Sequence, residues 1–154
     1  MNPMVNKFGI DGTARLAGLL GLIPFAFALG CVMTDTHYGL GDLGERIALA
    51  WGAVILAFIA AVHWGLALAG RWPWSVAVII GSTTPSVLGA LGVLIGGERG
   101  IALLVAGFGA FWLYETRWHA DDLPADYLAL RRILSMGVCA LLALTAFAGA
   151  GEVG

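Results

Sequence analysis

Charged side chains are scarce in this chain of 154 residues, of which 12% are charged and 60% are hydrophobic. Ordinary soluble domains carry about 25% charged residues. The formal net charge of −2 offers no basic surface of the kind that binds nucleic acid. The composition therefore predicts one integral membrane domain over residues 1–154, with membrane lipids as partners and no nucleic acid partner.

Residue types that carry chemistry are also few, with two cysteines and three histidines. Cys31 and Cys139 lie in apolar runs, where free cysteine behaves as a small hydrophobic residue. The sequence shows no zinc-ligand spacing, no phosphate-binding glycine loop, and no nucleophile with a base and an orienting acid. We therefore predict no enzymatic activity, no catalytic residue and no metal site.

The chain is organised around the uncharged stretch between Arg46 and Arg71, which holds one titratable residue, His63. Its length exceeds the roughly 20 apolar residues that span a hydrocarbon core. Small residues that favour close helix packing recur at every fourth position, namely Ala53, Ala57, Ala61, Gly65 and Ala69. His63 lies about 160° around the helix from this stripe, and lipid is a costly environment for its ring. We expect a central helix with protein on two sides.

Apolar runs predict an all-α bundle of five transmembrane helices, at about residues 14–33, 47–70, 74–95, 101–118 and 131–150. The expected N-terminal side carries six basic residues, which are Lys7, Arg15, Arg71, Arg117, Arg131 and Arg132. The opposite side carries Arg46 and Arg99. The positive-inside rule then predicts a cytoplasmic N-terminus and a C-terminus outside.

The ends of the spans carry further signals. Pro24 is expected to loosen the first span, and Thr34–Glu45 reads as an aqueous loop whose acids match no established metal site. Gly92 and Gly96 extend the small-residue packing into the third span. Residues expected to contact lipid at the interface are Arg71, Trp72, Trp74, Arg117, Trp118, Arg131 and Arg132.

A polar layer is expected about 12 to 18 Å below the cytoplasmic edge. It comprises His63, Trp64, Ser82, Thr83, Thr84, Pro85 and Ser86. Such a layer can line a cavity or a proton path. It can also be local repair, in which Pro85 frees a carbonyl, nearby hydroxyls satisfy it and His63 hydrogen-bonds the third span. The second interpretation is the favoured one.

His63 is expected to be neutral unless a carboxylate reaches it, because burial disfavours the charged ring. The nearest candidate is Glu115, for which pairing with an arginine at the interface is the preferred expectation. A membrane haem needs a second axial ligand, and His37 and His119 are predicted in loops away from the depth of His63. We therefore predict no haem.

Five blocks carry a family resemblance, and they are Gly21–Phe25, Trp51–Leu68, Thr84–Leu91, Ala106–Arg117 and Leu123–Ser135. The chain resembles the membrane family of unknown function that includes the mitochondrial protein called transmembrane protein 69 and its bacterial relatives. The block around His63-Trp64-Gly65 is the most specific, and Asp126 departs from an expected aromatic residue. The resemblance implies a multi-pass protein of the bacterial inner (cytoplasmic) membrane and transfers no residue role.

Three hypotheses for function follow. The leading one is a non-catalytic accessory or assembly subunit of a larger respiratory or photosynthetic complex, with other membrane subunits as partners. The second is a small transporter or proton-linked channel that uses His63 and the Ser82–Ser86 layer. The third is lipid or quinone binding, with His63 and Trp64 lining a groove and the basic residues meeting headgroups. Bound lipid or quinone is the one class of cofactor left open.

Overall fold

The structure, a computed structural model, describes residues 12–119 and 121–150, except for the side chain of residue 36. All elements in these two ranges are helices. They are α1 (Gly12–Leu20), α2 (Ile23–Met33), α3 (Asp35–Tyr38), α4 (Gly41–Leu68), α5 (Val76–Ile95), α6 (Gly97–Trp118) and α7 (Ala125–Ala150). Lys7, which entered the charge-based orientation, lies outside the described residues.

Four segments are long and apolar enough to cross a membrane: Gly12–Met33, which joins α1 and α2, and the helices α4, α5 and α7. The break between α1 and α2 falls at Gly21 and Leu22, just before Pro24. Pro24 therefore lies in the first turn of α2, where its missing N–H group is tolerated. The indole Nε1 of Trp51 donates to the free carbonyl of Gly21 at 3.0 Å, which ties the break to α4.

Helix α4 is central, as predicted, because it packs against α2, α5, α6 and α7. Its small-residue stripe makes a close contact at Ala53, whose Cα would lie 3.0 Å from a Cβ placed on Gly89 of α5. Further along, Ala61 and Ala69 are exposed, and a Cβ on Gly65 would meet nothing within 4 Å. The predicted packing therefore holds at the start of the stripe and ends before Ala61.

The α5–α6 hairpin depends on a second close approach. A Cβ on Gly92 would lie 3.1 Å from Leu104, and one on Gly100 would overlap the carbonyl oxygen of Gly92. Gly96, which the sequence analysis assigned to helix packing, instead ends α5 with φ 65° and faces open space. The left-handed conformation explains the glycine there, because other residues adopt it at a cost.

The predicted loop Thr34–Glu45 is largely helical. The Asp35 carboxylate accepts a hydrogen bond from the Gly41 N–H group, which allows α4 to begin at Gly41 rather than near residue 47. Glu45 Oε1 accepts from the Gly97 N–H group at 2.8 Å, so the starts of α4 and α6 lie together. Asp35 and Glu45 therefore act as structural acceptors.

The outer surface is strongly apolar. Phe58, Leu94 and Phe147 are 71%, 80% and 77% exposed, while the core holds fully buried Leu56 and Leu104. Large apolar side chains are exposed in this way on several helices, and extensive exposed apolar surface is unusual on proteins that face water. The outward side chains thus agree with the membrane assignment made from composition.

Candidate functional site: a buried ionic cluster beside an apolar cavity

The side chain of His63 is completely buried near the end of α4. Its Nε2 atom lies 3.3 Å from Oε1 of Glu115, a carboxylate on α6 that is also completely buried. The distance is that of an ion pair, but neither ring nitrogen has hydrogen-bond geometry to a described residue. A carboxylate therefore does lie beside His63, whereas the sequence favoured pairing of Glu115 with an arginine at the interface.

Arg131 of α7 completes the ionic cluster. Its Nε atom donates to Glu115 Oε2 at 2.9 Å, and its guanidinium carbon lies 5.2 Å from the centre of the Phe111 ring. The Tyr127 hydroxyl donates to Glu115 Oε1 at 3.5 Å, a long hydrogen bond. Arg131 is 5% exposed, so its expected contact with interfacial lipid is replaced by a buried ion pair. A buried carboxylate requires such a cation, because an unpaired charge is very costly to bury.

Aromatic rings enclose the His63 end of the cluster. The ring centres nearest to His63 are those of Trp72 at 5.1 Å, Phe111 at 5.2 Å, His119 at 5.2 Å and Tyr114 at 5.7 Å. Trp72 stacks on His119 at 4.3 Å, and His119 Nε2 lies 3.1 Å from the Tyr114 hydroxyl. One expectation is corrected, since the His119 ring lies beside that of His63, while the half-buried Trp72 stacks on His119. The contact with Trp72 joins the connection between α4 and α5 to His119, the residue that caps α6.

The expected polar layer does not join His63. The hydroxyls of Ser82 and Thr83 both donate to the carbonyl of Ile79 within α5, at 3.1 and 2.7 Å. The predicted repair is therefore not found, because these hydroxyls bond Ile79 and not the carbonyl of Gly81, which Pro85 leaves free four residues before it. His63 contacts α6 instead of hydrogen-bonding α5.

The remaining predicted site residues lie mostly on the outside. Thr84 is exposed and Ser86 is half-buried. Trp64 is 42% exposed and packs edge-on against Trp74, with ring centres 5.0 Å apart, so it does not line a groove with His63. The residues whose exposure agrees with an interfacial position are Arg71, Trp74, Arg117, Trp118 and Arg132.

An apolar cavity of about 500 Å³ adjoins the ionic cluster. Its walls come from α1, from Ile55 to Val62 of α4, and from Tyr127 to Val138 of α7. The polar side chains in this wall are Tyr127, Arg131 and Ser135. Arg131 Nη2 and Ser135 Oγ are buried and have no hydrogen-bond partner among the described residues. Buried polar atoms are normally paired, so these two atoms require an explanation.

Sequence reasoning missed the roles of Tyr127 and Ser135, whereas the expected pairing of Glu115 with an arginine is confirmed by Arg131, although the pair is buried. A signal was present, because Tyr127, Arg131 and Ser135 follow one another at four-residue intervals and share a face of α7. Phe111 and Glu115 show the same interval on α6. One face carries the acid Glu115 and the other the base Arg131, so the two patterns together predict a contact between α6 and α7.

Among the described residues, no group of three or more His, Cys, Asp or Glu side chains could hold a metal ion. A family model described as "protein of unknown function (DUF3429)" matches residues 10–147. The chain belongs to this family. No curated protein and no solved structure matches the chain. The relationship to transmembrane protein 69 stays a prediction.

Proposed function

We propose that this member of the DUF3429 family is a five-span protein that binds a lipophilic molecule from the bilayer in the cavity between α1, α4 and α7. The observation that carries the proposal is the apolar cavity itself, whose lining includes Tyr127 and the buried residues Arg131 and Ser135. The cavity volume of about 500 Å³ falls in the range of small-molecule sites, about 300–1,000 Å³.

Two sets of contacts support a fifth span at α6. Glu45 and Gly97 join the starts of α4 and α6, while His63 and Glu115 join their final turns. The two helices therefore run side by side in the same direction. The 22 residues of α6 extend about 33 Å, enough for a hydrocarbon core of about 30 Å. The charges that lower its hydropathy lie at its ends or, for Glu115, against Arg131.

The ionic cluster supports binding because it fixes the polar end of the cavity. Arg131 is held by Glu115 on one side and by the Phe111 ring on the other. A side chain positioned in this way loses little conformational freedom when a ligand contacts it, which favours affinity. The other residues of the wall are apolar or glycine and suit a hydrocarbon tail.

The orientation and location of the protein stay part of the proposal. The distribution of basic residues favours a cytoplasmic N-terminus and a C-terminus outside. A bacterial inner membrane follows from the resemblance of the sequence blocks. The accessory-subunit and transporter hypotheses remain predictions, and mass spectrometry of the native complex, extracted in mild detergent, tests the first of them.

Occlusion of the cavity tests the proposal. Ala17 of α1 lines the cavity, and Ala17→Phe places a ring in it. Ala102 is an exposed residue of α6 outside the lining, so Ala102→Phe is the matched control. We expect native mass spectrometry to detect a stoichiometric lipophile on the wild type and on Ala102→Phe, and to detect its loss from Ala17→Phe. Equal retention by both variants would refute cavity binding.

A further inference from the structure

We propose that α1 is a movable lid on this cavity, which lies apart from α4 when a lipophile fills the cavity and closes toward α4 when the lipophile leaves. The lid acts on the binding site described above, so it rests on the proposed function. Its basis is the loose packing of α1, the position of the cavity mouth, and the break that joins α1 to α2.

Helix α1 is loosely packed. None of its residues, Gly12–Leu20, all of which the structure describes, is buried. After the break, α2 buries Phe25, Ala28, Cys31 and Val32. Among the described helices, α1 packs mainly against α7. Segments with few buried apolar contacts are the ones that move at a low cost in free energy, and α1 is such a segment.

The two sides of α1 differ in their contacts. Toward α7, a Cβ placed on Gly18 would lie 2.7 Å from Cδ1 of Leu134, so the glycine allows the two helices to approach closely. Toward α4, the cavity lies between Ala14 and Ala17 of α1 and Phe58 of α4. Helix α1 can therefore keep its contact with α7 while its separation from α4 changes.

The mouth of the cavity lies between α1 and α4. Its exposed lining residues are Ala14, Ala17 and Phe58, whereas the lining residues on α7 are half-buried or buried. A lipophile from the bilayer thus enters between α1 and α4. Because protein interiors are closely packed, departure of the lipophile favours closure of α1 onto α4.

The break at Gly21 and Leu22 supplies the pivot. The ring of Pro24 clashes with a helical carbonyl four residues earlier, that of Leu20, and offers it no N–H group. Trp51 Nε1 of α4 donates to the carbonyl of Gly21 at 3.0 Å, which holds the break against α4. Hinges of moving elements are commonly a few residues at helix ends, and the position of this break matches that pattern.

Distances between spin labels test the lid. Cys31→Ala and Cys139→Ala remove the native thiols, and Arg15→Cys on α1 and Ala61→Cys on α4 place labels at exposed positions outside the cavity lining. One layer of carbon atoms between two packed surfaces adds about 4 Å. We expect double electron–electron resonance to give a distance about 4 Å shorter in depleted micelles than after saturation with decylbenzene. Native mass spectrometry verifies the depleted and the loaded states.

A second label pair and two proline variants are the controls. Phe27→Cys on α2 and Val54→Cys on α4 are exposed positions beyond the break, and their distance should not change. Pro24→Ala removes the clash and supplies an N–H group for the Leu20 carbonyl, so α1 and α2 form a stiffer helix and the shift should fall at least about twofold. Pro85→Ala, inside α5, is the matched variant and should keep the full shift.

The outcomes separate the lid from the proposed function. If decylbenzene binds but the distance between α1 and α4 stays the same, or if the control pair shifts equally, the lid is overturned while cavity binding stands. A full shift in Pro24→Ala would overturn the pivot at the break. If decylbenzene does not bind and Ala17→Phe has no effect on bound lipophile, the proposed function fails and the lid fails with it.

Discussion

Substitution of one partner of the Glu115–Arg131 ion pair is expected to destabilise the protein strongly. The two side chains are 0% and 6% exposed, and the hydrogen bond between them is 2.9 Å long. Removal of one partner from a buried pair costs about 3–5 kcal/mol, mostly because the other charge is left uncompensated. In Arg131→Met, Glu115 keeps the polar ring of His63 at 3.3 Å, which offsets part of the loss. We therefore expect about 3 kcal/mol.

Glu115→Leu leaves the cation unpaired and should cost a similar or larger amount, about 3–5 kcal/mol. The double variant Arg131→Met/Glu115→Leu removes both charges, and such replacements are often close to neutral. These costs together imply a coupling energy of about 6–8 kcal/mol, above the roughly 0.5–3 kcal/mol usual for contacting residues because each single variant leaves a buried charge unpaired. Reversible unfolding in mixed detergent micelles measures each free energy. A double variant whose cost equals the sum of the two single costs would refute the role assigned to this pair.

Three further predictions concern the fold. Gly100→Ala should lower the free energy of unfolding by about 1–3 kcal/mol, because the added methyl group overlaps α5. Gly65→Ala faces open space and should leave that free energy unchanged or raise it by up to about 1 kcal/mol. Unfolding titrations compare the two variants, and equal costs would contradict the packing. Trp51→Phe should cost about 1 kcal/mol, because the carbonyl at the α1–α2 break loses its donor, and an unchanged unfolding midpoint would argue against that bond. Cysteine accessibility from the two sides of the membrane should place the connections at 69–75 and 119–124 on the same side, and opposite sides would rule out a fifth span at α6.

The helices were predictable because the apolar runs are long and their composition is unlike that of soluble domains. The start of α4 was not, because Gly41, Asp42 and Gly44 are typical of loops and the cap from Asp35 depends on tertiary placement. The division of the first span before Pro24 was partly predictable, since proline disfavours the helix interior. Its exact position depends on Trp51, which supplies the donor for the carbonyl left free.

The candidate site was predicted less well. His63 was identified from its isolation in an apolar helix, and the inference that it meets a second neighbour is confirmed by Glu115. Arg131 was assigned to the interface by the charge rule, although α7 begins at Ala125 and carries it about 9 Å into the helix. The sequence alone does not reveal that Glu115 pairs with Arg131, since Arg117, two residues from Glu115, and Arg132, next to Arg131, are also candidates.

Photolabelling tests the central claim most directly. A diazirine-bearing analogue of a decyl-substituted benzoquinone is added to the protein in nanodiscs, and labelled peptides are mapped by mass spectrometry. Binding in the cavity predicts labels concentrated on residues 14–22, 55–62 and 130–138, with loss of these labels in Ala17→Phe. Labels spread equally over exposed positions of α5, such as Val87 and Leu94, would show that the probe follows bulk lipid and would contradict the account.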